Sequence, residues 1–170
     1  MRKLLFILFF FLPQFIFSQK VNIKIDDFTN DTIISTSWEK IYSGGMTGKN
    51  QTRLQIKQSG SAYYLLFRIY TNDVVAIHKD SKILIKTSNE IATAIVCDYS
   101  ISEPGAWSPK YINNNLGIYF KCLVNIDDLK NKQIEKIRIP FSDGNLDLEI
   151  KKNDNNKIQK MVSLILSSKK

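Results

Sequence analysis

Apolar and polar residues alternate along most of this chain. Val21, Ile23 and Ile25 alternate with Asn22, Lys24 and Asp26, while Leu54 and Ile56 alternate with Arg53, Gln55 and Lys57. A period of two sends successive side chains to opposite faces, so each run predicts a strand with one face in a core. The longest clean stripe is Leu116, Ile118, Phe120, Cys122, Val124 and Ile126, opposite Gly117, Tyr119, Lys121 and Asn125. Residues 61–71, SAYYLLFRIYT, are apolar on both faces and predict a central strand. Further strands are expected at 32–38, 73–78, 81–87 and 91–98, whose β-branched residues lose χ1 freedom in a helix.

The strongest local signal is a hairpin over 137–150. Asp143-Gly144 suits a two-residue turn with positive φ at both positions. Counting outward pairs Phe141 with Leu146, Ile139 with Leu148 and Ile137 with Ile150, which places three apolar pairs on one face. Pro140 would then face Asp147 without an N–H to donate, so an edge position or a bulge is expected there. One helix is expected, over about 154–166. Ile158, Met161, Val162 and Ile165 follow i, i+3, i+4, i+7, with Lys157 and Lys160 off the stripe and Asp154 or Asn155 placed to cap the start. About nine short strands and one C-terminal helix predict an all-β fold, an antiparallel β-sandwich, with a small β-barrel as the alternative.

The first residues break this pattern. Met1-Arg2-Lys3 leads into an apolar stretch at 4–12, then Pro13 and a Phe17-Ser18-Gln19 end. A basic start, a short apolar core and a small residue at the cut describe a secretory signal over 1–18. Nine residues are too few for a helix across about 30 Å of hydrocarbon. The mature chain is expected to span 19–170 as one domain, exported to the periplasm or beyond and not integral to a membrane.

Charge adds little. Of 24 basic side chains two lie in the signal, leaving 22 against 16 acidic, a net of +6. Lysine outnumbers arginine 20 to 4, and Lys, Asn and Ile make up 58 of the 170 residues. That bias reads as an A/T-rich genome rather than selection for phosphate contacts, where the arginine fork is favoured. Nucleic acid is therefore not an expected partner. Cys97 and Cys122 would enter an oxidising compartment, which invites a disulfide. If 91–98 and 116–126 are neighbouring strands closed by the 99–115 loop, Cys97 faces about residue 117 and Cys122 stands roughly 16 Å further along. A bridge tolerates about 7 Å between Cα atoms, so it requires a different arrangement of the two strands.

Glu135-Lys136-Ile137-Arg138-Ile139, the following Asp143-Gly144 and the terminal helix resemble a stretch of small secreted proteins of Bacteroidota. Thr36-Ser37-Trp38-Glu39 after Phe28-Thr29-Asn30 is similar to their N-terminal part, and the Phe17-Ser18-Gln19 end fits their signals. The resemblance touches about a third of the chain. Such proteins carry no assigned activity, so it implies compartment and fold and supplies no catalytic residue.

Chemistry is scarce. His78 is the only histidine and falls among charged residues near a strand end, a solvated rim position. With two cysteines in strand interiors it makes no zinc spacing. Ser43-Gly44-Gly45-Met46-Thr47-Gly48-Lys49-Asn50 lacks the spacing and the Ser or Thr of a phosphate loop and lies between strands. Asp26, Asp27, Asn30 and Asp31 match no calcium loop. No cofactor or metal is implied. The 17-residue loop 99–115 exceeds the usual connection length and carries Tyr99, Trp107 and Tyr111, stiffened by Pro104 and Pro109. These three aromatics are the candidate binding residues. The sequence thus favours a non-catalytic domain that binds a protein or glycan partner. A hydrolase acting on glycan or peptide is the alternative, and a small barrel carrying an apolar molecule is a third reading. The mature chain made in its native host should begin at Gln19 by mass spectrometry. An intact Met1 in a membrane fraction would refute export.

Overall fold

Every strand pair among the described residues is antiparallel, and short hairpin connections require this within 21–36, 52–71, 82–96 and 134–149. The computed structural model describes residues 20–44, 50–104 and 116–168. In chain order the strands are β1 (Val21–Ile25), β2 (Thr32–Thr36), β3 (Glu39–Tyr42), β4 (Thr52–Ser59), β5 (Ala62–Thr71), β6 (Ala76–Ile77) and β7 (Lys82–Thr87). They continue with β8 (Ile91–Val96), β9 (Ser100–Ile101), β10 (Glu103–Pro104), β11 (Leu116–Val124), β12 (Ile134–Phe141) and β13 (Gly144–Glu149). A 3-10 turn at Ile126–Asp128 follows β11, and the helix α1 is Lys152–Ser167. No helix among the described residues is long and apolar enough to cross a membrane.

Nine strands form one path, β1-β2-β4-β5-β11-β8-β7-β12-β13, with β3 added beside β4 and β10 beside β11, while β6 and β9 pair separately. The path is open, so the fold is all-β and sandwich-like rather than a barrel. It bends at β11. That strand pairs with β5 from Leu116↔Thr71 to Val124↔Tyr63, but with β8 only at Cys122, Leu123 and Val124. Beyond this short overlap the sheet turns over, and Phe141 of β12 meets Phe120 of β11 edge-on at 6.4 Å. Phe120 in turn stacks on Phe67 of β5 at 5.3 Å. One buried cluster results, built from the inward residues of both halves.

The helix completes that core. Ile158, Met161, Val162 and Ile165 are all buried, as their spacing requires, and join Ile34, Ile41, Leu54 and Ile56 on the inner side of β2, β3 and β4. The helix starts two residues earlier than expected, because Lys151 O accepts from both Asp154 N and Asn155 N. Asn155 is then no cap. It is buried, and its Oδ1 accepts from the backbone N–H of Ile134 at 2.8 Å. Gln159 Nε2 donates to Leu129 O and Lys132 O, which ties the helix to the loop before β12. Lys157 lies off the stripe and reaches Asp154 Oδ1 at 2.7 Å and Lys40 O at 3.1 Å.

Three local expectations need correction. The hairpin forms, but its turn is Ser142-Asp143, so Phe141 pairs with Gly144, Ile139 with Leu146 and Ile137 with Leu148. Neither turn residue has a positive φ; Gly144, at φ +137, takes the last position instead. Ser142 explains the choice, since its N–H donates to Ala76 O at 2.8 Å and its Oγ accepts from Ala76 N at 3.2 Å. The shift is two residues, so the apolar pairs keep their common face. Pro140 faces Asn145 and lies past Arg138, the last residue of β12 paired with β7.

Residues 73–78 give only the two-residue β6, because Val75 N–H is taken by Ser102 Oγ and Asp73 O by the same hydroxyl. The cysteines are both free, yet not for want of proximity along the strands. Cys122 pairs with Val96, and Cys97 N donates to Lys121 O, four residues closer in register than expected. What parts the thiols is alternation. Cys122 shares the buried face with Val96, and its neighbour Cys97 takes the other, half-exposed one. Burial pushes the Cys122 thiol up, out of reactive range.

Asn155→Ala should lower stability by about 1–3 kcal/mol in chemical denaturation, because it leaves the Ile134 N–H buried without an acceptor. Asn155→Asp, which keeps an acceptor near the helix N-terminus, should lose less. Equal losses would mean that packing, not the acceptor, matters.

Candidate functional site

Of the three aromatics singled out in the long loop, Tyr99 alone falls among the described residues; Trp107 and Tyr111 lie outside them. Tyr99 is 55% exposed and its ring stands 5.6 Å from that of His78, itself exposed. The pair forms a rim beside β6 and β9. The glycine loop is also largely outside the described residues, at 45–49. The acids at 26–31 are a turn: Asp26 Oδ1 accepts from Phe28 N and Thr29 N, and these bonds draw its carboxyl below its ordinary range.

A second set of aromatics comes together on the outer face of the sheet. Leu54 and Ile56 of β4, Leu65, Phe67 and Ile69 of β5, and Ile118, Phe120 and Cys122 of β11 fill the core. Alternation therefore turns Arg53, Gln55 and Lys57, Tyr64, Arg68 and Tyr70, and Tyr119, Lys121 and Leu123 outward. Tyr119 and Leu123 are 41% and 45% exposed. The strand registers align Lys40 of β3 with Arg53, Arg53 with Arg68, and Arg68 with Tyr119. Three cations and a tyrosine thus stand side by side across four strands.

Trp38 reaches this row from an unusual position. β2 and β3 lie end to end along one flank of β4, pairing with residues 57–59 and 52–54 respectively. The break between them is pinned. Thr36 Oγ1 accepts from Ile56 N at 3.1 Å, Thr36 O accepts from Gln55 Nε2 at 2.6 Å, and Ser37 Oγ donates to Glu39 Oε1 at 2.9 Å. From the break Trp38 crosses β4, so that its ring lies 4.5 Å from the Arg68 guanidinium and 6.3 Å from the Tyr119 ring, edge-on. Arg68 is also 5.8 Å from Tyr119. Its Nε is buried without a hydrogen-bond partner. One row further, Lys121 Nζ sits 5.5 Å from the Tyr64 ring and 3.5 Å from Asp98 Oδ2.

The other half of the sheet treats its cations differently. There Arg138 grips Asp147 with Nε–Oδ1 and Nη2–Oδ2 bonds of 2.7 and 2.8 Å. Lys136 joins Asp147 and Glu149, and Lys86 joins Glu135. The guanidinium and ammonium hold the Asp147 carboxyl well below the usual carboxylate range. A cleft of about 190 Å³ on this side, lined by Leu84, Lys86, Ile91, Lys136 and Arg138, is therefore already neutralised. A second cleft of about 190 Å³ lies between the end of β5 and the β12–β13 turn, with Asp73 and Asp143 among its lining. Both acids are exposed, whereas glycoside hydrolysis seats one carboxyl in an apolar, dehydrated site. Among the described residues no group of three or more His, Cys, Asp or Glu side chains could hold a metal ion.

The outer face offers aromatic stacking surfaces beside cations held in register. Sequence reading turns Tyr119 outward but cannot assemble the site, whose members come from three separate segments joined only by strand order. No family model, curated protein or solved structure matches this chain. A double-mutant cycle between Trp38→Leu and Arg68→Met should return a coupling of about 0.5–2 kcal/mol by denaturation. A coupling of zero would mean that ring and guanidinium are merely adjacent.

Proposed function

We propose that this chain is an exported, non-catalytic β-domain that binds a protein or glycan partner through the outer face of β3, β4, β5 and β11. The observation that carries the reading is the Trp38–Arg68–Tyr119 cluster, with the guanidinium held against one ring and beside the other. Tryptophan, tyrosine and arginine are the side chains that dominate binding hot spots. Stacking fixes them before a partner arrives, which lowers the entropy lost on binding. Export is supported by the signal-like first 18 residues.

The hydrolase reading draws on Asp73 and Asp143 lining one cleft. It requires turnover of a glycan or peptide that the double variant Asp73→Asn, Asp143→Asn abolishes.

The test takes the mature chain to a glycan array and to exported proteins of the native host. Tyr119→Ala should leave the melting temperature within a few degrees, since the ring is substantially exposed, and should weaken binding by about 2 kcal/mol or more at a hot spot. Binding that ignores Tyr119→Ala and Lys40→Ala but is lost with Trp107→Ala would move recognition to the 99–115 loop.

A further inference from the structure

We infer that the partner of this face is an acidic polysaccharide, a chain of sugars bearing carboxylates or sulfates. The inference rests on the outer face being the binding surface. Like charges directly opposite one another on neighbouring strands are destabilising, yet Lys40, Arg53 and Arg68 occupy three adjacent strands in register. Neighbouring strands are about 4.8 Å apart, so the row sets cations at a spacing comparable with the rise of one sugar along an extended chain. Among the described residues Lys40, Lys57 and Arg68 have no carboxylate partner, whereas Lys86, Lys136 and Arg138 on the other half are all ion-paired. The outer face thus leaves Lys40, Lys57 and Arg68 without a carboxylate, while Lys121 one row further meets Asp98.

Arginine usage points the same way. In a chain with 20 lysines and 4 arginines, one arginine belongs to the signal and one is committed to Asp147. The two others, Arg53 and Arg68, are neighbours in register in this row, and Arg68 has no carboxylate partner among the described residues. The planar guanidinium fork matches carboxylate and sulfate geometry in a way that lysine does not. Tyr119 at the end of the row gives the apolar face of a sugar ring a surface beside the fixed charge of Arg68. Single-stranded nucleic acid asks for open ring faces on which successive bases stack. Here Arg68 occupies a face of Trp38, and Tyr119 meets Trp38 edge-on. A flat anionic membrane would reach Arg53 and Arg68 poorly, since both are half-buried within the sheet surface.

The experiment titrates the mature chain by calorimetry with oligogalacturonate and a heparin-derived oligosaccharide, against neutral dextran, a single-stranded oligonucleotide and phosphatidylglycerol vesicles. Binding to an acidic oligosaccharide that weakens with salt, and weakens about tenfold or more with Arg53→Gln, supports the inference; tenfold is what one charge-assisted hydrogen bond contributes. Lys40→Gln, at an exposed position, should weaken it without altering the melting temperature, and Lys160→Gln should leave it unchanged. Tighter binding to the oligonucleotide or the vesicles overturns the inference, as does acidic-sugar binding indifferent to Lys40→Gln and Arg53→Gln. A Tyr119-dependent protein or neutral glycan, with no acidic-sugar binding, overturns it while leaving the binding surface in place. Loss of Tyr119 dependence for every partner overturns both.

Discussion

Nine consecutive residue pairs join β5 to β11, from Tyr63 with Val124 to Thr71 with Leu116, and the remainder of the fold is arranged around that ladder. Its inner side stacks Phe67 on Phe120, the two largest fully buried side chains. Its outer side aligns Arg68 with Tyr119. Because side chains alternate strictly across a strand, neither face can move without the other. A register slip of one residue would expose the phenylalanines and bury the arginine, a cost large enough to fix both core and surface together. The chain joins these strands across more than forty residues, so closing the ladder carries a substantial entropy cost in folding.

The ends of the ladder decide how the sheet closes. At Cys122–Val124 β11 accepts β8 on its free side, and at Leu116–Gly117 it accepts β10. Between these points the two halves diverge, which lets β12 and β13 fold back over β5 and β11 and leaves α1 to cover the inner face of β2, β3 and β4. The covering layers therefore lie on one side of the central strands, and the side bearing Arg53, Arg68 and Tyr119 faces outward. The outward cation row is thus a consequence of how the core is capped.

Periodicity made most elements legible. The period-two stripes locate β1, β4 and β11, although Ile23 and Ile25 of β1 turn out exposed rather than in the core. Apolar and β-branched runs locate β5, β7 and β8, and the i, i+3, i+4, i+7 spacing of Ile158, Met161, Val162 and Ile165 gives the buried face of α1. Interactions between distant segments were not legible. The β12–β13 turn sits at Ser142-Asp143 because Ala76, 66 residues away, bonds Ser142 at both N and Oγ; local turn chemistry favoured Asp143-Gly144. Cys97 and Cys122 were expected apart on the assumption that the loop closes directly into both strands. Ser100–Ile101 and Glu103–Pro104 instead form their own short pairings, and these use up chain and shift the register.

The same limit hid the outer site. Trp38 looked like the end of a strand over 32–38, and nothing local signals that β2 stops at Thr36, breaks, and resumes as β3 along the same flank of β4. The break is held by Thr36, whose hydroxyl and carbonyl both bond to β4 in place of a ladder pair. A continuous strand would have kept Trp38 in the pleat above or below β4. The interruption frees its side chain to cross β4 and reach Arg68. That ring shields one side of the guanidinium from water, and a partly dehydrated cation interacts more strongly with an incoming anion than a solvated lysine does. Arg68 Nε, buried and without an acceptor, shows the cost of this placement within the free protein. The stacking with Trp38 offsets part of that cost, and a ligand carboxylate or sulfate reaching this half-buried guanidinium would add acceptors to it.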